Sequence, residues 1–536
     1  MALGPFFNKA ALSAAAAIRG FDFQTFRSLL ENKRVAVVFD ANAERSSEGR
    51  LTVSLLVDLC ARFYSHIAIV SASESPPTDR QLVDLCAARA KAINPMVNIG
   101  NSIMDVDACV VVGNASPGVA CPVSHIGSVG WISEISRAGR VNLGCSGLAF
   151  GAGAAACLGA AQMFVDVFRD HMADGDTGLL SESLSDDHVV RLSMLSCALV
   201  DRESQEVADV ASTVDISDAV LVGAGAIGNG TIWALANTEL VTGELTVVDP
   251  ENIELSNLQR YALSCLDDVG KPKVNLAAQY VSTLRTDMSI SAERSTWGQY
   301  VAQRAGHKID RVLVALDTAE DRVAVQSSLP RWLINAWTQP ENLGVSRHPE
   351  FGERACLACL YLPVGQRKSR DVLVAEAIGA IGPQELLEVR TFLHDGRPVG
   401  EAFVRRTAER LRVPYEAIAE FANRELSDFY TEAVCGGLTI SLGASHESAR
   451  SAEVPLAFQS TLAGILLAGE LFIDVSGSRN YALPCRTEIN VLRPLGSFLN
   501  VPTSRNLTGR CICADQDFIR AYQLKYASPA TTWSDR

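Results

Sequence analysis

Short runs of apolar residues alternate along the chain with longer stretches in which apolar residues recur every three or four positions. The longer stretches have helical periodicity, as in 51–64. The short runs have the length and composition of buried strands, and they occur at 33–40, 65–72, 108–114, 218–225, 244–249 and 310–317. Because strands buried on both faces are usually parallel strands covered by helices, the pattern predicts an α/β fold of two doubly wound units in tandem.

Two apolar windows repeat each other. Residues 148–167 and 456–475 align without gaps and are identical at nine of twenty positions. Two helices rich in small residues can share such a pattern by chance, but the restart of the strand pattern favours duplication of one unit. Asp166 lies in the first window, and Glu470 and Asp474 lie in the second. Both windows are therefore expected to be buried helices and not membrane spans.

The second copy is the longer one. The first strand and the repeated helix begin 115 residues apart in the first copy and 238 residues apart in the second. This difference predicts an insertion in the second copy, and its most strongly helical part spans 367–434. Residues 174–188, between the copies, are acidic and rich in small residues, so a linker is expected there.

Composition limits the functions that the chain can have. Of its 536 residues, 48% are hydrophobic and 20% are charged, as expected for globular domains. The net charge of −14 argues against non-specific binding to nucleic acid. The N-terminal apolar run is short and has no strongly basic leader, so a cytoplasmic location is predicted, with no membrane partner. In that compartment the 14 cysteines are expected to be thiols, metal ligands or catalysts.

A glycine-rich loop is the strongest local motif. It follows a predicted strand, opens a predicted helix and contains Gly223, Gly225, Ala226, Ile227 and Gly228. Such a loop brings backbone N–H groups and a helix N-terminus to a phosphate. Asp249 ends the next strand, where it can accept hydrogen bonds from ribose hydroxyls. Nucleotide binding is therefore predicted, by a dehydrogenase or by an ATP-using enzyme. The first copy lacks the loop and is expected to have lost its own nucleotide site.

The residues after Asp249 separate these two classes of enzyme. Asn257, Arg260 and Lys273 follow within one connection, and Asp317 ends a later strand. Cations near a triphosphate neutralise charge and orient the α-phosphate, which a dehydrogenase does not need. A carboxylate at the carboxyl edge of the sheet can hold Mg²⁺ between phosphates. This cluster favours an ATP-using enzyme.

The motifs GAGAIG, NLQR, GKPK and LDTAEDR occur here in one order. In that order they resemble the ubiquitin-activating enzymes and the adenylyltransferases of thiamine and molybdopterin biosynthesis. The resemblance extends over 214–345 and, more loosely, over 450–495. It implies Rossmann-like adenylation units that use ATP and Mg²⁺ to adenylate the C-terminal carboxylate of a small ubiquitin-like β-grasp protein.

The resemblance also implies roles for single residues. Asp249 would bind ribose, Arg260 and Lys273 would contact phosphates, Asn257 would lie nearby, and Asp317 would support the metal and the reacting phosphate. Eukaryotic-type activating enzymes pair an inactive adenylation domain with an active one, and an arginine of the inactive half enters the active site. The candidates for that arginine here are Arg19, Arg45 and Arg50.

A chain with both halves resembles a single-chain activating enzyme, such as the bacterial relatives found in antiviral defence operons. Such a chain can complete its own active site as a monomer. The expected organisation is an inactive adenylation domain at 1–172, a linker at 173–213, the first part of the active adenylation domain at 214–365, a helical catalytic-cysteine insertion at 366–440 and the second part of the active domain at 441–536.

Two close cysteine pairs suggest a metal site. Cys356 and Cys359 form a CxxC, and Cys511 and Cys513 form a CxC far downstream. Together they are expected to make a structural zinc site with four cysteine ligands, with reduced thiols or a redox pair as the alternatives. The resemblance supports zinc, although family members usually carry CxxC in both pairs.

Cys435 lies after the helical insertion and before two glycines. Activating enzymes carry their catalytic cysteine in an insertion of this kind, so the resemblance implies a thioester on Cys435 and transfer to a ubiquitin-conjugating enzyme. The alternative for Cys435 is a buried apolar side chain. Cys265 is the next candidate, although its place in the ATP-binding segment suggests a structural role.

Three other functions fit the sequence less well. A sulfur-carrier adenylyltransferase without a catalytic thioester is disfavoured by the duplicated half and the insertion. A nicotinamide-dependent oxidoreductase is disfavoured by the basic cluster after Asp249. A non-catalytic scaffold has no need for Arg260, Lys273 and Asp317 together.

Overall fold

The structure is a computed structural model of the 536-residue chain. It describes residues 4, 6–15, 17–18, 21–72, 81–172, 178–180, 188–202, 213–304, 308–339, 342–362, 369–380, 382–434, 454–493, 499–506 and 508–527.

The described part of the first unit contains helices and strands in alternation. Its helices are α1 (Phe7–Ala15), α2 (Phe23–Asn32), α3 (Ala41–Arg45), α4 (Ser47–Ala61), α5 (Gln81–Ile93) and α6 (Phe150–Phe168). Its strands are β1 (Arg34–Phe39), β2 (His66–Ser71), β3 (Asn98–Gly100), β4 (Ala108–Val112), β5 (Val123–Val129), β6 (Ile132–Ser136), β7 (Val189–Ser193) and β8 (Ala198–Leu199).

The described part of the second unit follows the same pattern and adds a helical insertion. Its strands are β9 (Val214–Asp215), β10 (Ala219–Val222), β11 (Val241–Val248), β12 (Met288–Glu293), β13 (Arg311–Val314), β14 (Trp332–Thr338), β15 (Leu343–Pro349), β16 (Arg486–Ile489) and β17 (Leu499–Val501). Its helices are α7 (Ala226–Ala236), α8 (Lys273–Leu284), α9 (Trp297–Ala302), α10 (Ala319–Ser327), α11 (Leu357–Tyr361), α12 (Arg370–Ala377), α13 (Pro383–Asp395), α14 (Glu401–Leu411), α15 (Leu426–Asp428), α16 (Ala457–Ser476) and α17 (Gln516–Tyr526).

Each unit is built on a sheet that is parallel at one side and antiparallel at the other. Among the described residues, the first sheet has the order β3-β2-β1-β4-β5-β6-β7-β8, and the second has β12-β11-β10-β13-β14-β15-β16-β17, with β9 paired to β11. Strands β3 to β5 of the first path and β12 to β14 of the second are parallel, and the later pairs are antiparallel. The two tandem α/β units expected from the strand pattern are thus confirmed.

The register of the two sheets is equivalent. Phe39 at the end of β1 pairs with Ser71 and Val112, as Val222 at the end of β10 pairs with Val248 and Val314. Residue 40 in the first unit therefore corresponds to residue 223 in the second, and residue 72 corresponds to residue 249. This correspondence makes it possible to compare the two carboxyl edges residue by residue.

The repeated windows form α6 and α16, which pack against each other at the centre of the molecule. Phe164 of α6 and Phe458 of α16 have ring centroids 6.2 Å apart, and Phe472 lies 5.5 Å from Phe150. Among the described residues, two helical segments, Phe150–His171 and Ala457–Ser476, are long and apolar enough to cross a membrane, but these windows are 100% and 89% buried inside the protein. Both are core helices, as the sequence predicts.

Helices α7 and α16 cross at very short distance. A Cβ atom on Gly464 would lie 2.2 Å from the carbonyl oxygen of Ile227, and one on Gly230 would lie 2.6 Å from that of Thr461. The Thr231 hydroxyl donates a hydrogen bond to the Gly464 carbonyl at 3.2 Å. Glycine at both positions thus lets the helix that opens at the glycine-rich loop pack directly on α16.

The structure differs from the expected organisation between the units. The range 173–213 was expected to be a linker, but β7 and β8 lie within it and extend the first sheet. Both strands are short and follow an acidic stretch, so the sequence shows no clear apolar run that would predict them. The described residues from Arg370 to Val434 are largely helical and have their own apolar core, as expected for the insertion.

Candidate active site

The glycine-rich loop lies at the carboxyl end of β10. Gly223 has a φ of +96°, and a Cβ atom there would lie 2.6 Å from the carbonyl oxygen of Ala315. A Cβ atom on Gly228 would lie 2.2 Å from the carbonyl oxygen of Gly223. Helix α7 begins after Gly225 with no side-chain cap, so its first N–H groups are available for a ligand. These glycines therefore combine a tight turn with an open helix N-terminus.

Asp249 lies beside this loop at the end of β11. It is 6% exposed, and its carboxylate accepts hydrogen bonds from the N–H groups of Ala224 and Glu251, both at 2.8 Å. Burial raises the pKa of Asp249, although Lys273 and the two N–H groups favour the charged form. The backbone thus fixes the carboxylate in the orientation from which it can accept hydrogen bonds from a ribose.

Two cations share the face of one aromatic ring in the cleft. The Arg260 guanidinium lies 5.7 Å and the Lys273 ammonium 5.4 Å from the ring centroid of Tyr261. Burial alone would lower the Lys273 pKa, but Tyr261, Asp249 and Glu251 raise it above its usual value. The Arg260 Nη1 atom is buried and has no hydrogen-bond partner among the described residues. A buried donor without a partner fits a site for a phosphate oxygen.

The predicted binding residues line one cleft of about 1090 Å³. Those that line it are Gly223, Gly225, Ala226, Ile227, Asp249, Arg260, Lys273 and Asp317. Asp317 is exposed and follows β13. Gly228 is not among the cleft-lining residues, but its lack of a side chain lets α7 pack against the carbonyl of Gly223. The side chain of Asn257 accepts a hydrogen bond from the N–H of Glu254 at 2.9 Å, so it shapes the turn before Arg260 and does not face the cleft.

Several residues of the site were not expected from the motifs. Asn229 of α7 donates to the carbonyls of Ala224 and Gly225, both at 2.9 Å, and accepts from the N–H of Leu263 at 3.1 Å. Ser295 Oγ and Trp297 Nε1 line the cleft and have no hydrogen-bond partner among the described residues. An amide side chain in the first turns of the largely apolar α7 is the signal that could have revealed Asn229.

Comparisons with known proteins agree with this geometry. Residues 206–439 match the ThiF family, and residues 38–169 match Prokaryotic E2 family C. The chain is 39% identical to the uncharacterized protein y4jF of Sinorhizobium fredii over 98% of both chains. It is 47% identical to the SAMP-activating enzyme E1 of Haloferax volcanii over 14% of this chain and 27% of that protein. It is 26% identical to the sulfur carrier protein ThiS adenylyltransferase of Escherichia coli K12 over 34% of this chain and 76% of that protein.

The chain belongs to the ubiquitin-activating enzyme and ThiF superfamily. The resemblance stated from the four motifs is thereby confirmed, and so is the Rossmann-like adenylation fold. The activity of this superfamily member is adenylyl transfer of the E1-like or ThiF-like kind. The cleft described above combines the glycine-rich loop, the buried carboxylate of Asp249 and the cations of Arg260 and Lys273.

This superfamily member also has the expected cysteine cluster. The Sγ atoms of Cys356, Cys359, Cys511 and Cys513 all lie within 4.8 Å of one another. Neighbouring Sγ atoms are 3.4 to 3.9 Å apart. Four thiolates around a tetrahedral Zn²⁺ at about 2.3 Å would be about 3.8 Å apart, so the donor set fits a closed zinc site. The N–H of Asn506 points to the Cys359 sulfur at 3.4 Å, as is common for metal-bound thiolates.

Of the two candidate nucleophiles, Cys435 and Cys265, the structure describes only Cys265. Cys435 lies outside the described residues, directly after Val434. Cys265 is half-buried, and its thiol lies 3.2 Å from Asp268 Oδ2. Burial and this carboxylate raise the Cys265 pKa, which disfavours the thiolate. Cys265 is therefore a poor nucleophile in the observed structure.

Three arginines of the first unit are expected to reach the site, and the two that the structure describes, Arg45 and Arg50, do not line the cleft. Arg19 lies outside the described residues, although α1 before it contacts the 3₁₀ turn Leu255–Gln259. Arg45 and Arg50 are exposed, and Arg45 Nη2 donates to Asn42 at 3.1 Å. Other arginines of the first unit contact the ATP-binding segment instead.

Proposed function

We propose that the chain adenylates the C-terminal carboxylate of a small ubiquitin-like protein, holds that protein as a thioester on Cys435 and passes it to a conjugating enzyme. The observation that carries the adenylation step is the buried, unpartnered Arg260 Nη1 beside Lys273, Asp249 and the open N-terminus of α7. These groups match the charge and the hydrogen-bonding needs of a bound ATP.

The proposed reaction has two steps. In the first, a carboxylate oxygen of the partner attacks the α-phosphorus of ATP, and the bond to pyrophosphate breaks. Arg260, Lys273 and the N–H groups of α7 stabilise the charge on the phosphates, while Asp249 holds the ribose. Mg²⁺ held at Asp317 would neutralise charge between the phosphates. In the second step the Cys435 thiolate attacks the acyl carbon, AMP leaves, and the thiol proton passes to solvent.

The first unit is proposed to be an inactive adenylation domain. Asp40, which corresponds to Gly223, accepts hydrogen bonds from the N–H groups of Asn42 and Ala43, both at 2.9 Å. The Asp40 carboxylate therefore caps the N-terminus of α3. In the second unit the equivalent N-terminus, that of α7, has no side-chain cap and is open for a phosphate. Ala72 corresponds to Asp249, so the ribose carboxylate is missing as well. Both differences support the loss of nucleotide binding.

The relatives support the kind of partner. The SAMP-activating enzyme E1 and the NEDD8-activating enzyme catalytic subunit of Saccharomyces cerevisiae are named for the activation of protein modifiers. A separate conjugating enzyme, a monomeric state, a cytoplasmic location and an antiviral role stay predictions. The sulfur-carrier alternative also stays open, and it differs in forming no thioester on the enzyme.

The test is capture of the partner from the native host with ATP and Mg²⁺, read on a non-reducing gel. Wild type and the control Cys265→Ala should form a thiol-sensitive adduct with a small protein. Cys435→Ala should lose the adduct but still release pyrophosphate, because adenylation does not need the thiol. Asp317→Ala should lose both.

Two outcomes contradict parts of the proposal. An adduct that survives in Cys435→Ala would exclude that cysteine as the nucleophile. Pyrophosphate release without any adduct in wild type would favour the sulfur-carrier alternative.

A further inference from the structure

Two arginines of the first unit bind backbone carbonyls in the ATP-binding segment of the second. Arg62, which follows α4, donates hydrogen bonds to the carbonyls of Leu258, Ala262 and Ser264, the last two at 3.0 and 2.9 Å. Arg89 of α5 donates to the Leu263 carbonyl at 2.6 Å. We call residues 258–264 the clamped turn.

The Arg62 guanidinium is costly to bury, which suggests that it has a specific role. Arg62 is only 1% exposed, and no carboxylate lies within ion-pair distance of it among the described residues. Burial lowers its pKa to about 9, so it is still charged at neutral pH. Arg89, in contrast, forms an ion pair with Asp58 at 3.2 Å. Removing a buried charge from water is expensive unless it is hydrogen-bonded, and the carbonyls of the clamped turn accept hydrogen bonds from both Nη1 and Nη2. The buried Nε of Arg62 has no partner among the described residues.

The clamped turn contains Arg260, one of the residues proposed to bind phosphate. Arg260 and Tyr261 lie within it, and both line the ATP cleft. On its other side the N–H of Leu263 donates to Asn229, whose amide also holds the carbonyls of Ala224 and Gly225. Hydrogen bonds therefore run without a break from the first unit, through the clamped turn, to the glycine-rich loop.

We propose that Arg62 and Arg89 are positioning residues through which the first unit holds Arg260 in the orientation that binds the phosphates of ATP. The inference rests on the proposed function, because it assumes that the cleft binds ATP. It gives the first unit a role that needs no side chain of that unit inside the cleft. Arg62 and Arg89 act on the backbone of the turn, and of these three arginines only Arg260 contacts the ligand.

The experiment compares the binding of a non-hydrolysable ATP analogue and of adenosine by calorimetry. Arg62→Met should weaken binding of the ATP analogue by about tenfold, since hydrogen bonds from a charged group are lost, and leave adenosine binding nearly unchanged. Arg89→Met should show the same selectivity. Because the Arg89 side chain is 33% exposed, this variant can replace Arg62→Met if that protein does not fold. Arg62→Lys should recover part of the loss.

A double variant tests the route of the effect. If Arg62 acts through Arg260, then Arg62→Met should cost little further affinity in an Arg260→Met background. Arg137→Met is the matched control, because Arg137 belongs to the first unit but donates to both oxygens of Asp166, away from the clamped turn. It should change stability and leave the ratio of the two affinities as in wild type.

The outcomes separate the two claims. If wild type binds the ATP analogue but Arg62→Met and Arg89→Met bind it equally well, the positioning role is wrong and the proposed function stands. Equal losses for the ATP analogue and adenosine would indicate a general structural role and would also overturn the inference. No binding by wild type would overturn the proposed function and the inference with it.

Discussion

Glu470 of α16 lies between the guanidinium groups of Arg347 and Arg479. Its side chain is 5% exposed, and Arg479 donates to both of its oxygens, at 2.9 and 2.7 Å. Burial alone would raise the Glu470 pKa, but the two arginines lower it to about 2. Because the Glu470 pKa is lower in the folded state, the ionised carboxylate and its two arginines stabilise the folded protein at pH values above the unfolded-state pKa. This contribution to stability is lost as the pH falls towards 2.

We therefore expect the free energy of unfolding to fall as the pH decreases from about 5 to about 2, by about 3 kcal/mol from this group. Denaturant unfolding at a series of pH values measures it. Glu470→Gln removes the titrating group, so the pH dependence should become shallower. An unchanged slope in this variant would show that other carboxylates cause the acid sensitivity.

At the scale of elements, the crossing of α7 and α16 depends on two glycines. Gly464→Ala would place a methyl group 2.2 Å from the carbonyl oxygen of Ile227, so the helices must separate. We expect a loss of about 1–3 kcal/mol in the free energy of unfolding. ATP binding should also weaken, because α7 opens at the glycine-rich loop. Denaturant unfolding and nucleotide titration measure the two effects.

Gly469→Ala is the control on the same helix. Its new methyl group would meet Trp131 at 3.4 Å and Phe150 at 3.8 Å, which are ordinary contact distances. Alanine also favours the helix over glycine by up to about 1 kcal/mol. Gly469→Ala should therefore be neutral or stabilising, and an equal loss in both variants would contradict the crossing argument.

The elements that the sequence predicts best are those with strong local patterns. The buried strands around Val37 and Leu313 are continuous apolar runs, and α6 and α16 repeat each other. The strands β7 and β8 are not predicted, because they are short and follow an acidic stretch. In the site, Gly223 and Asp249 follow from local spacing. The contacts of Arg62 do not, because its partners lie about two hundred residues away in the chain and depend on how the units pack.

At the scale of the whole molecule, the cysteine cluster connects α17 to the cleft that is proposed to bind ATP. Cys511 and Cys513 lie just before α17, and Lys525 of α17 lines the cleft. The Lys525 ammonium donates to the carbonyls of Ser328 and Leu329 at 2.7 and 3.1 Å. Loss of the metal is therefore expected to loosen one wall of the cleft.

The prediction is that protein purified without chelator contains about one equivalent of zinc. Cys359→Ser should lose the metal, increase hydrogen exchange in α17 and lower the unfolding temperature. Elemental analysis and hydrogen exchange measure these effects. Cys121→Ser, in the first unit, should keep the metal. Full protection of α17 in metal-free protein would contradict the coupling.

The contact between α6 and α16 also has a consequence for synthesis of the chain. Helix α16 begins about 290 residues after α6 ends. At about 5–20 residues per second, a ribosome needs roughly fifteen seconds to one minute to make the intervening chain. During this interval the apolar face of α6 that receives Phe458 and Phe472 has no native cover. Until α16 is made, we therefore expect the nascent first unit to expose an apolar surface that can aggregate.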